Sequence, residues 1–256
     1  MGIVVFENKE VTEITSSKAP YLTSLANQYT RLSNMFGIRH PSLPNYLAMI
    51  GGSTFGITND CTSCHVNATN LVDQLEAAGF SWKAYMEDAP GPCPTIGNNG
   101  SYYKKHDPFM YFDDIANNPA RCNKVVPYTQ LKTDLANHFL PDFFFITPNI
   151  CHDMHNCSIA TGDTWAKNNL PQVINALGTN GILFVTFDEG STNAGCCGNA
   201  AGGHIYTAIV GPGAKTSNVV TTAVDHYSML RLVEDQFGVA HLRNAATAPA
   251  INGALK

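Results

Sequence analysis

Charge is scarce in this chain. Asp, Glu, Lys and Arg make up 14% of its 256 residues, so most of the surface must be built from Asn, Thr, Ser and Gly. There is no run of Lys or Arg, and the formal net charge is −5. That balance argues against a nucleic-acid partner and against an anionic membrane surface. No apolar run approaches the roughly 20 residues of a membrane-spanning helix, so stable membrane insertion is not expected. Internal repeats and linkers are also missing. A chain of this length can bury one large core, and a single domain over 1–256 is the expectation, with an irregular insertion at about 88–127. Met1-Gly2 runs straight into the first strand, so a secretory leader is expected to have been removed from this chain.

Cysteine, by contrast, is present eight times, which suggests an oxidising, secreted or periplasmic setting. Cys61-x-x-Cys64 lacks a second pair at metal-ligand spacing, and a loop disulfide is favoured over zinc. Cys93 with Cys122 and Cys151 with Cys157 are plausible pairs. Cys196-Cys197 reads as a vicinal bridge or as two separate half-cystines. Asn67, Asn99 and Asn156 each open an Asn-x-Ser/Thr tripeptide.

Ile3–Phe6, Phe143–Thr147 and Ile182–Phe187 are unbroken apolar runs, as expected for parallel strands buried on both faces. Phe80–Met86 and Ile205–Val210 read as further strands. Helices are expected from Pro20, after Pro41, around Leu71–Ala78, around Leu131 and Leu135, over Thr161–Leu177, and behind an Asp225 cap. Strands alternating with helices indicate an α/β fold around a mostly parallel sheet.

The three apolar strands end in Glu7-Asn8, in the Asn149/Asp153/His155 run and in Asp188-Glu189. Ligands in open α/β sheets bind at the carboxyl edge, so these groups should share one side of the domain. Any one of them could be a turn residue or a cap, but solvated turns do not require all three. Ser42 falls at or just before a helix N-terminus, where amide N–H groups favour an anion. Hard oxygen donors suit a divalent cation, imidazoles shift the choice toward zinc, and such an ion would activate a hydroxyl. His65, His138 and His241 have no motif around them. His226 and His152 read as capping or flanking residues.

Glu7-Asn8-Lys9, His40-Pro41-Ser42-Leu43-Pro44-Asn45-Tyr46, His106-Asp107-Pro108, Pro148–His155 with Gly162-Asp163-Thr164-Trp165, and Phe187-Asp188-Glu189 resemble, in order, the phosphoesterases. That family holds acid phosphatases and phospholipases C inside the alkaline phosphatase superfamily. The resemblance implies an alkaline-phosphatase-like three-layer sandwich and a hydrolase acting on small phosphorylated substrates. By it, Ser42 resembles the nucleophile that forms a phosphoserine. Glu7, Asn8, Asp188 and Glu189 resemble the metal set, with Asn8 or Asn45 donating to phosphate. His40, His106 and His155 resemble oxygen donors or leaving-group acids. Asp153, His155 and His204 could complete a second metal site, so one or two divalent ions (Zn, Ca, Mg or Mn) are expected. A phosphate monoesterase leads. A phosphodiesterase or phospholipase C, and a non-catalytic metal- or anion-binding module, are the alternatives.

Overall fold

A computed structural model of the chain describes residues 1–198 and 200–256. Its central sheet has eight strands. From one edge to the other they are Asn218–Val220, Thr30–Leu32, Thr207–Val210, Leu183–Phe187, Gly2–Phe6, Phe143–Thr147, Trp82–Met86 and Val125–Pro127. The five strands from Leu183–Phe187 to Val125–Pro127 run parallel; Thr207–Val210 is antiparallel to both of its neighbours. The three apolar runs form the middle of the sheet and are wholly buried, because helices cover both faces.

The register shows this directly. Ile3 pairs with Phe145, and alternate residues point to opposite faces, so Phe145 and Phe6 lie on opposite sides of the sheet. Tyr46, from the helix Ser42–Gly51, meets Phe145; Trp165, from Ile159–Ala176, meets Phe6 edge-on. The Ser42–Gly51 helix packs against His226–Phe237, and Pro20–Gln28 packs against Ile159–Ala176. Every residue of Ser42–Gly51 is buried, the mark of a core helix rather than a surface one. Gly52 ends it in the left-handed region at φ 66, where glycine carries no Cβ penalty.

The sequence reading needs four adjustments. Residues 30–32, where Tyr29 and Leu32 continue the helical spacing that begins at Pro20, leave the helix after Gln28 and join the sheet. The 205–210 strand breaks at Tyr206: His204–Ile205 joins a small sheet with Met35–Phe36 and Val224–Asp225, and Thr207–Val210 joins the large one. Asn218–Val220, unassigned from sequence, is an edge strand. The 88–127 segment carries a two-residue hairpin and several short helical turns, but its last residues, Val125–Pro127, are the opposite edge of the sheet.

All eight cysteines are paired, as Cys61–Cys64, Cys93–Cys122, Cys151–Cys157 and Cys196–Cys197. No helix among the described residues is long and apolar enough to cross a membrane.

Candidate active site

Ser42 is the first residue of its helix, after an extended Pro41. Its Oγ donates to Glu7 Oε2 at 2.9 Å and lies 3.5 Å from Glu189 Oε1. Tyr46, one turn further on, donates to the other Glu7 oxygen. The acids after the first and sixth chain-order strands of the sheet therefore meet the hydroxyl. Both strands run the same way and end at the same edge.

Asp188 Oδ1 accepts the Asn8 N–H at 3.0 Å. Asn8 holds φ 55, a left-handed backbone that Asn tolerates better than most residues. Asp153 enters from the loop after Phe143–Thr147, and His106 from the insertion. His106 Nε2 lies 3.2 Å from Glu7 Oε1, and its Nδ1 lies 3.1 Å from Asp153 Oδ2. One atom from each of these three buried residues fits within a 4.8 Å cluster.

The electrostatics leave these acids either protonated or paired with a cation. Burial, then repulsion from Asp188 and Asp153, raises the Glu7 pKa well above its ordinary value. Burial likewise lifts Asp188 to about 6 and Asp153 to about 7. Burial and the Asp188 charge lift Glu189 to about 9. His106 is held neutral: burial foremost, then Lys105 and His155, pushes its pKa well below 6.5. A neutral imidazole has one N–H, yet both His106 nitrogens face carboxylate oxygens, so one lone pair faces another unless a proton or a metal lies between. Asp188 Oδ2, Asp153 Oδ2 and His106 Nε2 are buried without a hydrogen-bond partner among the described residues. Hard oxygens with one imidazole, partnerless at one point, fit a divalent cation.

The remaining expected residues divide. His40 joins the site: Nδ1 pairs with Glu189 Oε2, and Nε2 donates to the Thr192 carbonyl at 2.9 Å, so the ring orients Glu189. His155 stands at the rim, bonded to Asn156 Oδ1 and to Lys105 Nζ. Buried between two carboxylates, His106 is suited to ligand duty rather than to the acid role expected of it. Asn45 departs from expectation as a phosphate donor. Its Oδ1 accepts the Ile38 and Arg39 N–H groups, and its Nδ2 donates to the Arg39 and Pro41 carbonyls. That carboxamide is fully used in clamping the loop before Ser42. His204 departs too. Its Nε2 bonds the Ser33 carbonyl and its ring stacks on Phe36, in the small sheet. Among the described residues, the cluster at Asp153 takes in Glu7 and His106, not His155 or His204.

Sequence reasoning did not single out Tyr46, Asp60, Lys105 or Glu10. Tyr46 could have been found from its i+4 spacing to Ser42. Glu10 lies three residues after Glu7 and clamps the 188–204 loop, accepting from the Ser191, Thr192 and His204 amides and the Thr192 hydroxyl. Gly190 and Gly203 leave room for it: a Cβ there would stand 2.3 and 2.7 Å from Glu10 Oε1. The Gly162-Asp163 pair also has a structural reason, since Asp163 accepts from the Tyr21 and Leu22 amides and so caps the Pro20–Gln28 helix.

Among solved structures, the chain superposes on a protein in the alkaline phosphatase superfamily from Vibrio parahaemolyticus with a TM-score of 0.61. The identity is 13%, over 97% of this chain and 70% of that one. The lipoteichoic acid synthase LtaP from Listeria monocytogenes gives a TM-score of 0.62 at 10% identity, over 97% and 75%. At such identities the likeness establishes the fold, which is that of the alkaline phosphatase superfamily. In sequence, the chain is 34% identical to a phosphatidylinositol-3-phosphatase of Mycobacterium tuberculosis, over 97% of this chain and 80% of that protein. It is 30% identical to a probable acid phosphatase of Kluyveromyces lactis, over 94% and 58%, and to an acid phosphatase of Aspergillus fumigatus, over 85% and 50%. The chain thus spans 58% and 50% of the length of these two fungal relatives. The named relatives define a phosphoric ester hydrolase. More particularly, residues 7–240 match the Phosphoesterase family, and the chain belongs to it.

Proposed function

We propose that this chain hydrolyses phosphate monoesters through a phosphoserine formed on Ser42, with one or two divalent cations in the site. The observation that carries the reading is the Ser42 hydroxyl at a helix N-terminus, 2.9 Å from Glu7 and inside a ring of buried acids. Glu7, Asn8, Asp188 and Glu189, with His106 and Asp153, would hold the metal. A bound divalent ion lowers the pKa of a hydroxyl and offsets charge on phosphoryl oxygens.

This chain's own groups do the rest. Glu7 Oε2 already accepts the Ser42 proton in a hydrogen bond and is the near base; Glu189 Oε1 is the farther one. Attack forms the Oγ–P bond as the ester P–O bond breaks. The leaving alkoxide takes a proton from solvent at the rim, where His155 stands. Water then attacks phosphorus, the Oγ–P bond breaks, and Ser42 recovers its hydrogen. A binding module would have no need of a hydroxyl set among acids in this way.

Two relatives named as acid phosphatases and one named as a phosphatidylinositol-3-phosphatase support a monoester substrate. Four disulfides that use every cysteine support an oxidising compartment, secreted or periplasmic. Ser42→Ala should lose nearly all turnover of p-nitrophenyl phosphate and all acid-stable labelling by a phosphorylated substrate. Turnover retained by that variant overturns the reading, and a faster rate on bis-p-nitrophenyl phosphate reassigns the substrate to diesters.

A further inference from the structure

We propose that Lys105, together with the Leu43 N–H, receives the substrate's phosphoryl oxygens, and that Asp60 is a resident anion occupying both donors until phosphate displaces it. The proposal rests on the reading of Ser42 as the nucleophile. Asp60 Oδ1 accepts the Leu43 amide at 3.0 Å, and Asp60 Oδ2 accepts from Lys105 Nζ at 3.0 Å. One carboxylate therefore bridges the amide next to the nucleophile and an ammonium at the site. Carboxylate and phosphate offer similar pairs of oxygens to paired donors, so what seats one seats the other.

Lys105 is not a surface lysine: its side chain is 13% exposed. Its Nζ also lies 3.2 Å from His155 Nε2, which fixes it from a second side. Its charge is felt at Glu7, Asp153 and Glu189, and it feels those of Glu7 and Asp188. It is thus an ammonium turned toward the acid ring. Asp60 lies outside that ring, on the 52–70 segment, and is half-buried at 27% exposed. It can swing toward water without unmaking the metal ligands. While in place, it keeps Lys105 from collapsing onto Glu7 and keeps the Leu43 amide satisfied.

The test is equilibrium binding of inorganic phosphate to the metal-loaded protein by titration calorimetry, a reading independent of turnover. Asp60→Asn keeps an acceptor for Leu43 but removes the competing charge, and should tighten phosphate binding about tenfold. Lys105→Met should weaken it by at least as much, Lys105→Arg should stay within a few-fold of wild type, and Asp60→Asn should bring a smaller gain on top of Lys105→Met, where only competition at the Leu43 N–H is relieved. Weaker phosphate binding in Asp60→Asn would make Asp60 a tether and overturn the proposal. An unchanged affinity in Lys105→Met would overturn it as well. If Lys105→Met does not fold, the direction of the Asp60→Asn change decides alone. Failure here with Ser42→Ala still inactive leaves the nucleophile standing; an active Ser42→Ala removes the premise instead.

Discussion

Asn45→Ala separates a structural carboxamide from a substrate ligand. In the fold, the Asn45 side chain makes four hydrogen bonds, at 2.7 and 3.1 Å from the Ile38 and Arg39 amides and at 2.7 and 3.2 Å to the Arg39 and Pro41 carbonyls. Truncation leaves the buried Ile38 N–H with no partner, at about 1–3 kcal/mol, and the part-buried Arg39 N–H at about 1 kcal/mol. The two donated bonds add about 1 kcal/mol between them. The expected loss is therefore about 3–5 kcal/mol. For a chain of 256 residues, at about 2 °C per kcal/mol, that lowers Tm by about 6–10 °C. Calorimetric melting measures it. Because the clamped loop carries His40 and leads into Ser42, kcat should fall with stability. A Tm unchanged within 2 °C beside a tenfold rise in KM for a monoester would refute this reasoning and return Asn45 to the substrate.

Three further outcomes follow from the same geometry. Stripped of metal, the protein should lose stability as pH rises: Asp188, Asp153 and Glu189 titrate at about 6, 7 and 9 in the fold against ordinary values of 3.8, 3.8 and 4.5. Their contribution is fully present below pH ~4 and is lost as pH climbs through the 6–9 window. Melting in a chelator at pH 5 and pH 9, then with divalent ion restored, checks this; a Tm independent of pH in chelator counts against it. Gly162→Ala should destabilise, although Ala in a helix ordinarily gains about 1 kcal/mol. Its Cβ would stand 2.4 Å from Met154 Cγ and 2.7 Å from the His152 carbonyl, an overpacking worth about 1–3 kcal/mol that shifts the loop bearing Asp153. Lower Tm together with weaker metal binding is the expected signature. Glu10→Ala should cut kcat several-fold with little change in KM, because four donors from the 188–204 loop lose their acceptor while the phosphate seat stays; steady-state kinetics at saturating metal reads it.

The middle of the sheet was legible because a parallel strand covered on both faces is apolar at every position, which alternating or short strands are not. Residues 30–32 and 218–220 are three-residue edge or near-edge strands. Segments that short have no period of their own, and Tyr29 and Leu32 continued a helical spacing well enough to hide the break. Tyr206 interrupts its strand for a tertiary reason: its hydroxyl donates to the Leu22 carbonyl in the neighbouring helix. Among the site residues, the strand-end acids were legible from position alone. The role of His106 was not, because its two carboxylate partners lie 99 residues before it and 47 after it in the chain.

What the amino-acid order determined by itself is local. It sets the unbroken apolar runs, the acids that end them, the prolines opening the Ser42 helix and the cysteine complement. Each follows from propensity and periodicity over a few neighbours. Tertiary structure alone decided which groups share a centre: Asn45 turned to the backbone, His204 to the small sheet, and Asp60 to the Leu43 amide and to Lys105. The reason is physical. Side-chain partnership depends on where distant segments are brought by burying the sheet, and a carboxamide or imidazole takes whichever donor or acceptor burial leaves beside it.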